Sequence, residues 1–177
     1  MDKNNLFGNW FVHYDGEKLC RGEATFVIIK PDAVARGLIG EIIGRFEAKG
    51  LEIAAMTFGE IRPEQARALY EEHKDKPFFE RLVGFTVSGP SVRLILRGNQ
   101  AIKVVRAMMG ATDSTQAAPG TIRGDLALTS FEKTLVHGSR TPEDFNREWT
   151  LFDWGNGCFS RRSYRSDRNE VYSDCDK

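Results

Sequence analysis

ATFVIIKPDAVARGLIGEIIGRFEAKG, residues 24–50, is the stretch that decides the fold class. Residues 24–30 form a short apolar run that Pro31 stops, which reads as a buried strand. Next comes DAVARGLIG, a turn-rich segment with Gly37 and Gly40. Ile39, Ile42, Ile43 and Phe46 then recur at i, i+3, i+4 and i+7, so a helix presents one apolar face there. Gly50 lies just past Lys49, where a helix C-cap is expected.

Working outward, LEIAAMTFGEI at 51–61 is a second strand candidate. Pro63 opens RPEQARALYEEHK as a proline at the first helical position does. Pro77 separates that helix from a shorter one in FFERLVGF. SVRLILRG at 91–98 reads as a strand, and NQAIKVVRAMMG at 99–110 as a helix ended by Gly110. The loop from Ala111 to Gly124 is long for a connection without structure, and such loops are usually functional or disordered. LALTS is the last strand candidate, and a further helix starts near Pro142. The order matches a split βαβ plan: an α+β sandwich, ferredoxin-like, with a four-stranded antiparallel sheet and helices on one face.

The chain has 177 residues, which suits one domain with extensions: an N-terminal extension at 1–23, a domain at 24–157 and a polar tail at 158–177. Phe7, Trp10, Phe11 and Tyr14 in the first extension read as packing aromatics. The 25 basic and 25 acidic side chains cancel. That balance argues against broad nucleic-acid binding, which needs a net basic surface, yet it leaves room for a local pocket for one small anion. Cys20, Cys158 and Cys175 are odd in number and widely spaced, so they read as free thiols of a reducing compartment. The N-terminus lacks the layout of a signal peptide, and no apolar run approaches the roughly 20 residues of a membrane span. A soluble, cytoplasmic protein is expected.

No Walker-type phosphate loop, dinucleotide fingerprint, protein-kinase motif set or H-E-x-x-H is present. Any phosphate chemistry must use another device: cations around the oxygens and a placed nucleophile. Lys30 closes the first strand, Arg106 lies in the helix before the long loop, and Arg123 sits in PGTIRGD, where Pro119, Gly120 and Gly124 bend the chain. Thr112 and Thr121 are possible hydroxyl donors. His137 stands in TLVHGS, with Gly138 expected to let a ligand approach and Ser139 to offer an orienting hydroxyl. A lone histidine is more often a structural hydrogen-bond partner. A neutral imidazole is nonetheless nucleophilic near neutral pH, and can accept a phosphoryl group without a strong base.

Taken together, IIKPDAVARGLIGEIIGRFEAKG, HKDKPFFERLVGFTVSGP, VVRAMMGATDSTQAAPGTIRGD and VHGS, in this order, resemble nucleoside diphosphate kinase over about residues 24–152. The resemblance implies a ferredoxin-like fold, assembled as hexamers or tetramers. It implies a ping-pong reaction in which ATP, or another nucleoside triphosphate, gives its γ-phosphate to a histidine and a second diphosphate takes it. Magnesium (Mg2+) bridges the nucleotide phosphates, with no dedicated metal ligands on the chain.

By the same resemblance His137 matches the phosphorylated histidine, Lys30 the lysine on phosphate and ribose hydroxyl, and Arg106, Thr112 and Arg123 the phosphate-binding residues. Phe78 matches the aromatic that stacks on the base, and Tyr70 a tyrosine near the histidine. Ser139 and Glu148 match residues that orient and polarise it. Thr134 stands where the family usually has a ribose-binding asparagine, after a stretch one residue longer than usual. Arg140 replaces an acidic residue, and can either help hold phosphate or face solvent. The family's usual C-terminal segment is not recognisable after Trp154. These departures motivate a second reading, a nucleotide-binding regulatory protein of the same fold with weak turnover.

Overall fold

The computed structural model describes residues 23–128 and 132–154. Strand β1 (Glu23–Ile29) leads into a short helix α1 (Pro31–Ala35) and then α2 (Ile39–Ala48). Strand β2 (Glu52–Gly59) follows, then helices α3 (Pro63–Leu69) and α4 (Phe79–Thr86). Strand β3 (Ser91–Gly98), α5 (Ala101–Met109), α6 (Ile122–Leu126), β4 (Val136–Gly138) and α7 (Pro142–Glu148) complete the order. Single 3₁₀ turns lie at Glu71–His73, Ser114–Gln116 and Trp149–Leu151. The expected Phe7, Trp10, Phe11, Tyr14, the three cysteines and the 158–177 tail lie outside the described residues.

The four strands run in the order β2-β3-β1-β4, each antiparallel to its neighbour. This is the expected split βαβ arrangement, in which the first strand lies between the third and the fourth. β1 is central, and its side chains alternate between two cores. Phe26 and Ile28 enter one core with Ala66 and Leu69 of α3, Phe79, Leu82 and Val83 of α4, and Phe145 of α7. Val27 and Ile29 enter the other with Ile42 and Phe46 of α2 and Ala101, Val105 and Met109 of α5. The expected plan put helices on one face, and the described helices cover both. The reason is legible in the strand: FVII has no polar position, so neither face of β1 tolerates water.

Two expectations about the last third need correction. LALTS does not supply a described strand, because Ile122–Leu126 is helical and capped by Thr121, whose Oγ1 accepts the Gly124 N–H at 3.0 Å. The fourth strand is instead Val136–Gly138, which contains His137. The Ala111–Gly124 loop is also partly ordered, by the Ser114–Gln116 turn that the Asp113 side chain caps.

One core position breaks the usual rule. Arg93 of β3 is 7% exposed and projects into the first core opposite Ile28. Its nearest partners are the Glu60 carbonyl and Thr57 Oγ1, both at 3.4 Å, and the Phe152 ring at 5.6 Å, while its Nε has no hydrogen bond. Among the described residues no carboxylate pairs with it. Burial, with the positive charge of Arg62, holds its pKa below the usual arginine range. A buried charge without a counter-ion costs stability, and an apolar side chain of similar length avoids that cost. Arg93→Met is therefore expected to raise the unfolding free energy by about 1 kcal/mol, read as a higher denaturant midpoint. A lower midpoint would show that the guanidinium is a net stabiliser.

Candidate functional site

His137 is placed by strand pairing. β4 lies against β1 with His137 opposite Ile28, so the imidazole shares a face with Phe26 and Ile28. Its ring meets Tyr70 edge-on at 5.7 Å and Phe26 at 6.3 Å between centroids. Tyr70 is buried, which pushes its hydroxyl pKa up and keeps it neutral. Gly138 proves to be a packing residue. A Cβ there would lie 2.8 Å from Met109 Sδ and 3.5 Å from Val105 Cγ1, so glycine lets α5 lie close beneath β4.

The entry to β4 is strained. Leu135 has φ +65, a region that bulky residues rarely occupy. Three groups hold it there. The Lys30 N–H donates to the Leu135 carbonyl at 2.8 Å, Asp32 Oδ2 accepts the Leu135 N–H at 3.1 Å, and Arg123 Nε donates to the Thr134 carbonyl at 3.2 Å. Asp32 is a positioning residue that sequence reading did not single out. The signal was its place directly after Lys30 and Pro31.

The imidazole is oriented through one of its nitrogens. His137 Nε2 lies 3.0 Å from Glu148 Oε1, at the end of α7. The other oxygen of Glu148 accepts the Ser139 hydroxyl at 2.6 Å. Ser139 thus orients the glutamate and touches the histidine only through it. A carboxylate oxygen accepts, so in this bond Nε2 is the donor, and in that tautomer Nδ1 keeps the lone pair.

Four cations line the same cleft as this imidazole. Lys30 caps α1 and is 6% exposed, with Nζ donating to Thr134 Oγ1 at 2.9 Å and the Glu132 carbonyl at 3.1 Å. Burial, then the nearby Arg123 charge, pulls its pKa down to about 8, against a partial upward pull from Asp32 and Glu132. Arg123 is 4% exposed and donates to three main-chain carbonyls: Gly110 at 2.7 Å, Val136 at 2.8 Å and Thr134 at 3.2 Å. Burial and the Arg106 charge bring its pKa to about 10, so it remains charged at neutral pH. Five N–H groups less three leaves two for a ligand. Arg106 is exposed on α5 and keeps its head in the cleft. Arg140 lies at the rim, tied to Asp144 at 2.9 Å and to Glu72. Its charge is thus spent on two carboxylates.

His137, Tyr70, Glu148 and the four cations line one cleft of about 360 Å³, together with Phe78, Leu82, Thr112 and Thr134. Phe78 is 38% exposed at its mouth, with His73 and Lys76 beside its ring. Of the residues nominated from sequence, Ser139 lies behind the cleft and Thr121 lies outside it, spent on capping α6; the others line it. Thr134 is 2% exposed, and its hydroxyl accepts Lys30 Nζ. Glu132, Glu72 and Leu82 line the cleft without having been nominated. Among the described residues no group of three or more acidic, histidine or cysteine side chains could cage a metal ion. No described helix is long and apolar enough to cross a membrane.

Comparison with known proteins agrees with this geometry. The profile of the nucleoside diphosphate kinase family matches residues 23–153. A nucleoside diphosphate kinase of Hyperthermus butylicus is 54% identical over 130 residues, covering 73% of this chain and 91% of that protein. One from Thermus thermophilus is 53% identical, covering 73% of this chain and 94% of its own length. Among solved structures, a halophilic nucleoside diphosphate kinase from Halobacterium salinarum in complex with CDP superposes with a TM-score of 0.75 at 43% identity, covering 82% of this chain and 95% of that one. The Aquifex aeolicus nucleoside diphosphate kinase gives 0.74 at 38% identity, covering 78% and 99%.

The loop that delivers Arg123 leaves no room at Gly124. A Cβ there would sit 2.1 Å from the Ala118 carbonyl oxygen, a main-chain atom that cannot rotate aside. Gly124→Ala should therefore cost about 1–3 kcal/mol in unfolding free energy and loosen the Arg123 clamp. Calorimetry that shows an unchanged melting temperature would contradict this packing.

Proposed function

Because the chain belongs to the nucleoside diphosphate kinase family and so transfers phosphate between nucleotides, we propose that His137 is the residue that carries the phosphate. The observation that supports this most is the bond from His137 Nε2 to Glu148, which leaves Nδ1 as the lone-pair nitrogen facing the cations of the cleft. The lone pair on Nδ1 attacks the γ-phosphorus of a nucleoside triphosphate. The bond from that phosphorus to the bridging oxygen breaks, and the electron pair leaves with the diphosphate. In the second half, a terminal oxygen of another diphosphate attacks the same phosphorus, and the N–P bond returns its pair to Nδ1.

The protein contributes position and charge. Glu148 stabilises the positive charge that develops on the ring, as the orienting acid of a triad does, and Ser139 holds Glu148. Lys30, Arg106 and Arg123 neutralise phosphate oxygens, each charge-assisted bond contributing roughly 1.5–3 kcal/mol. Tyr70 packs the ring in place and Thr112 adds a hydroxyl. Phe78 offers a stacking face that suits every base. The family generally uses a divalent metal, and we take it to be Mg2+ arriving on the nucleotide. That fits a cleft whose carboxylates are already engaged: Glu72 by Arg140, Glu132 by Arg81, and Glu148 by His137 and Ser139. When bound, the ion supplies further neutralisation of phosphate charge. The weak-turnover regulatory reading is not favoured, since the relay is complete and Arg140 is drawn off by Glu72 and Asp144.

We further take the protein to work in the cytoplasm as a homo-oligomer. The edge strand β2 carries Phe58 and Met56, 61% and 42% exposed, an apolar surface suited to a second copy.

Incubation with γ-labelled ATP and magnesium is expected to leave an acid-labile, alkali-stable label that His137→Ala abolishes. Label retained in that variant would move the carrier elsewhere. The pH profile gives an independent check. Lys30 is charged below its folded pKa of about 8 and neutral above it, so kcat/KM for nucleotide should fall as pH rises through about 8. The sign for stability is opposite. The unfolded chain holds that proton up to its ordinary pKa of 10.5, so between about 8 and 10.5 this group's contribution to unfolding free energy rises with pH. A kcat/KM that is flat across pH 8 would show that the Lys30 ammonium is not used.

A further inference from the structure

We propose that Glu132 determines sugar recognition in this cleft: its carboxylate accepts the hydroxyl protons of the bound nucleotide's ribose, the part that resemblance gives to position 134. The proposal rests on the reading of the cleft as the nucleotide site.

Thr134 is ill placed for that part. It is 2% exposed, its hydroxyl already accepts Lys30 Nζ, and its carbonyl already accepts Arg123 Nε. It acts as a support for the two buried cations. Glu132, two residues earlier, shares the same ammonium, since its main-chain oxygen accepts Lys30 Nζ at 3.1 Å. Its side chain lines the cleft and keeps 17% of its surface open. A sugar hydroxyl that meets Lys30 therefore lies beside Glu132.

The chemistry favours the glutamate. Ribose hydroxyls are donors, and a carboxylate offers about four lone-pair positions where a threonine hydroxyl offers two. Bonds of the O–H···O⁻ type are also the stronger kind. Burial alone would push the Glu132 carboxyl pKa up, but its own backbone N–H and Arg81 together hold it below the usual value, so it is ionised. A bare carboxylate near phosphate would repel the ligand. Arg81 of α4 answers that by pairing with Glu132 from outside the cleft, where its own side chain is 65% exposed.

The test compares ADP, 2′-deoxy-ADP and 2′,3′-dideoxy-ADP as acceptors from the phosphorylated full-length enzyme, in the wild type and in Glu132→Ala, Glu132→Gln and Arg81→Ala. The wild type is expected to prefer ADP to the dideoxy acceptor in kcat/KM. Glu132→Ala should shrink that preference about tenfold or more, mainly through KM for ADP. Glu132→Gln, which keeps one acceptor oxygen, should fall between. Arg81→Ala should keep the preference, because the carboxylate remains. An undiminished preference in Glu132→Ala would overturn the proposal. So would a loss that is equal for all three acceptors, which is the mark of a purely structural role. Failure of the wild type to pass phosphate to any acceptor would instead sink the underlying reading of the cleft.

Discussion

Arg123 is the constraint on which the site depends. Its guanidinium binds the carbonyl that ends α5 at Gly110 and two carbonyls that flank the strained Leu135, at Thr134 and Val136. Two segments, one on either side of Arg123 in sequence, are thereby fixed around one charge. None of these acceptors carries a full negative charge, so the arginine stays electrostatically unsatisfied in a buried place. That deficit is what a phosphate group would make good in the proposed reaction. Lys30 repeats the pattern, held by a hydroxyl and a carbonyl while Arg123 lowers its proton affinity. The cleft keeps positive potential at Lys30 and Arg123 by giving them hydrogen-bonding dipoles, whereas Arg140 at the rim is paired with carboxylates.

The imidazole of His137, the proposed phosphate carrier, is held by the opposite logic. His137 is partnered by a true carboxylate, and Glu148 is in turn fixed by Ser139. Orientation comes from α7, the strand pairing from β1, and the close approach of α5 from the absence of a side chain at Gly138. A ring so constrained presents one nitrogen to the cleft, and the order of the chain along β4 decides which residues face it.

Much of the fold was legible because its signals are local. The FVII run stopped by Pro31, the Ile39–Phe46 spacing and the prolines at 63 and 142 place a strand and three helix starts where the structure has them, whereas the short helix Pro31–Ala35 lies in a stretch that reads as turns. The fourth strand was not legible. It is three residues long, and it is defined by pairing with β1 rather than by its own composition. LALTS carried the stronger strand pattern, yet Thr121 caps a helix across its first residue. Helices on the second face could have been inferred from β1 itself, since a strand with no polar position must be covered twice.

The site was legible through resemblance more than through residue type. His137, Lys30, Arg106, Arg123 and Glu148 are far apart in sequence, and no spacing rule joins them. What stayed hidden were the groups whose role depends on a neighbour: Asp32 holding Leu135, Arg140 drawn to Glu72, and Glu132 across from Arg81. The proposed chemistry depends on which nitrogen of His137 is free. Nitrogen-15 and phosphorus-31 NMR of the phosphorylated protein reads this directly. The bond from His137 Nε2 to Glu148 predicts phosphate on Nδ1, with Nε2 still protonated. Phosphate on Nε2, or on any residue other than His137, would contradict it.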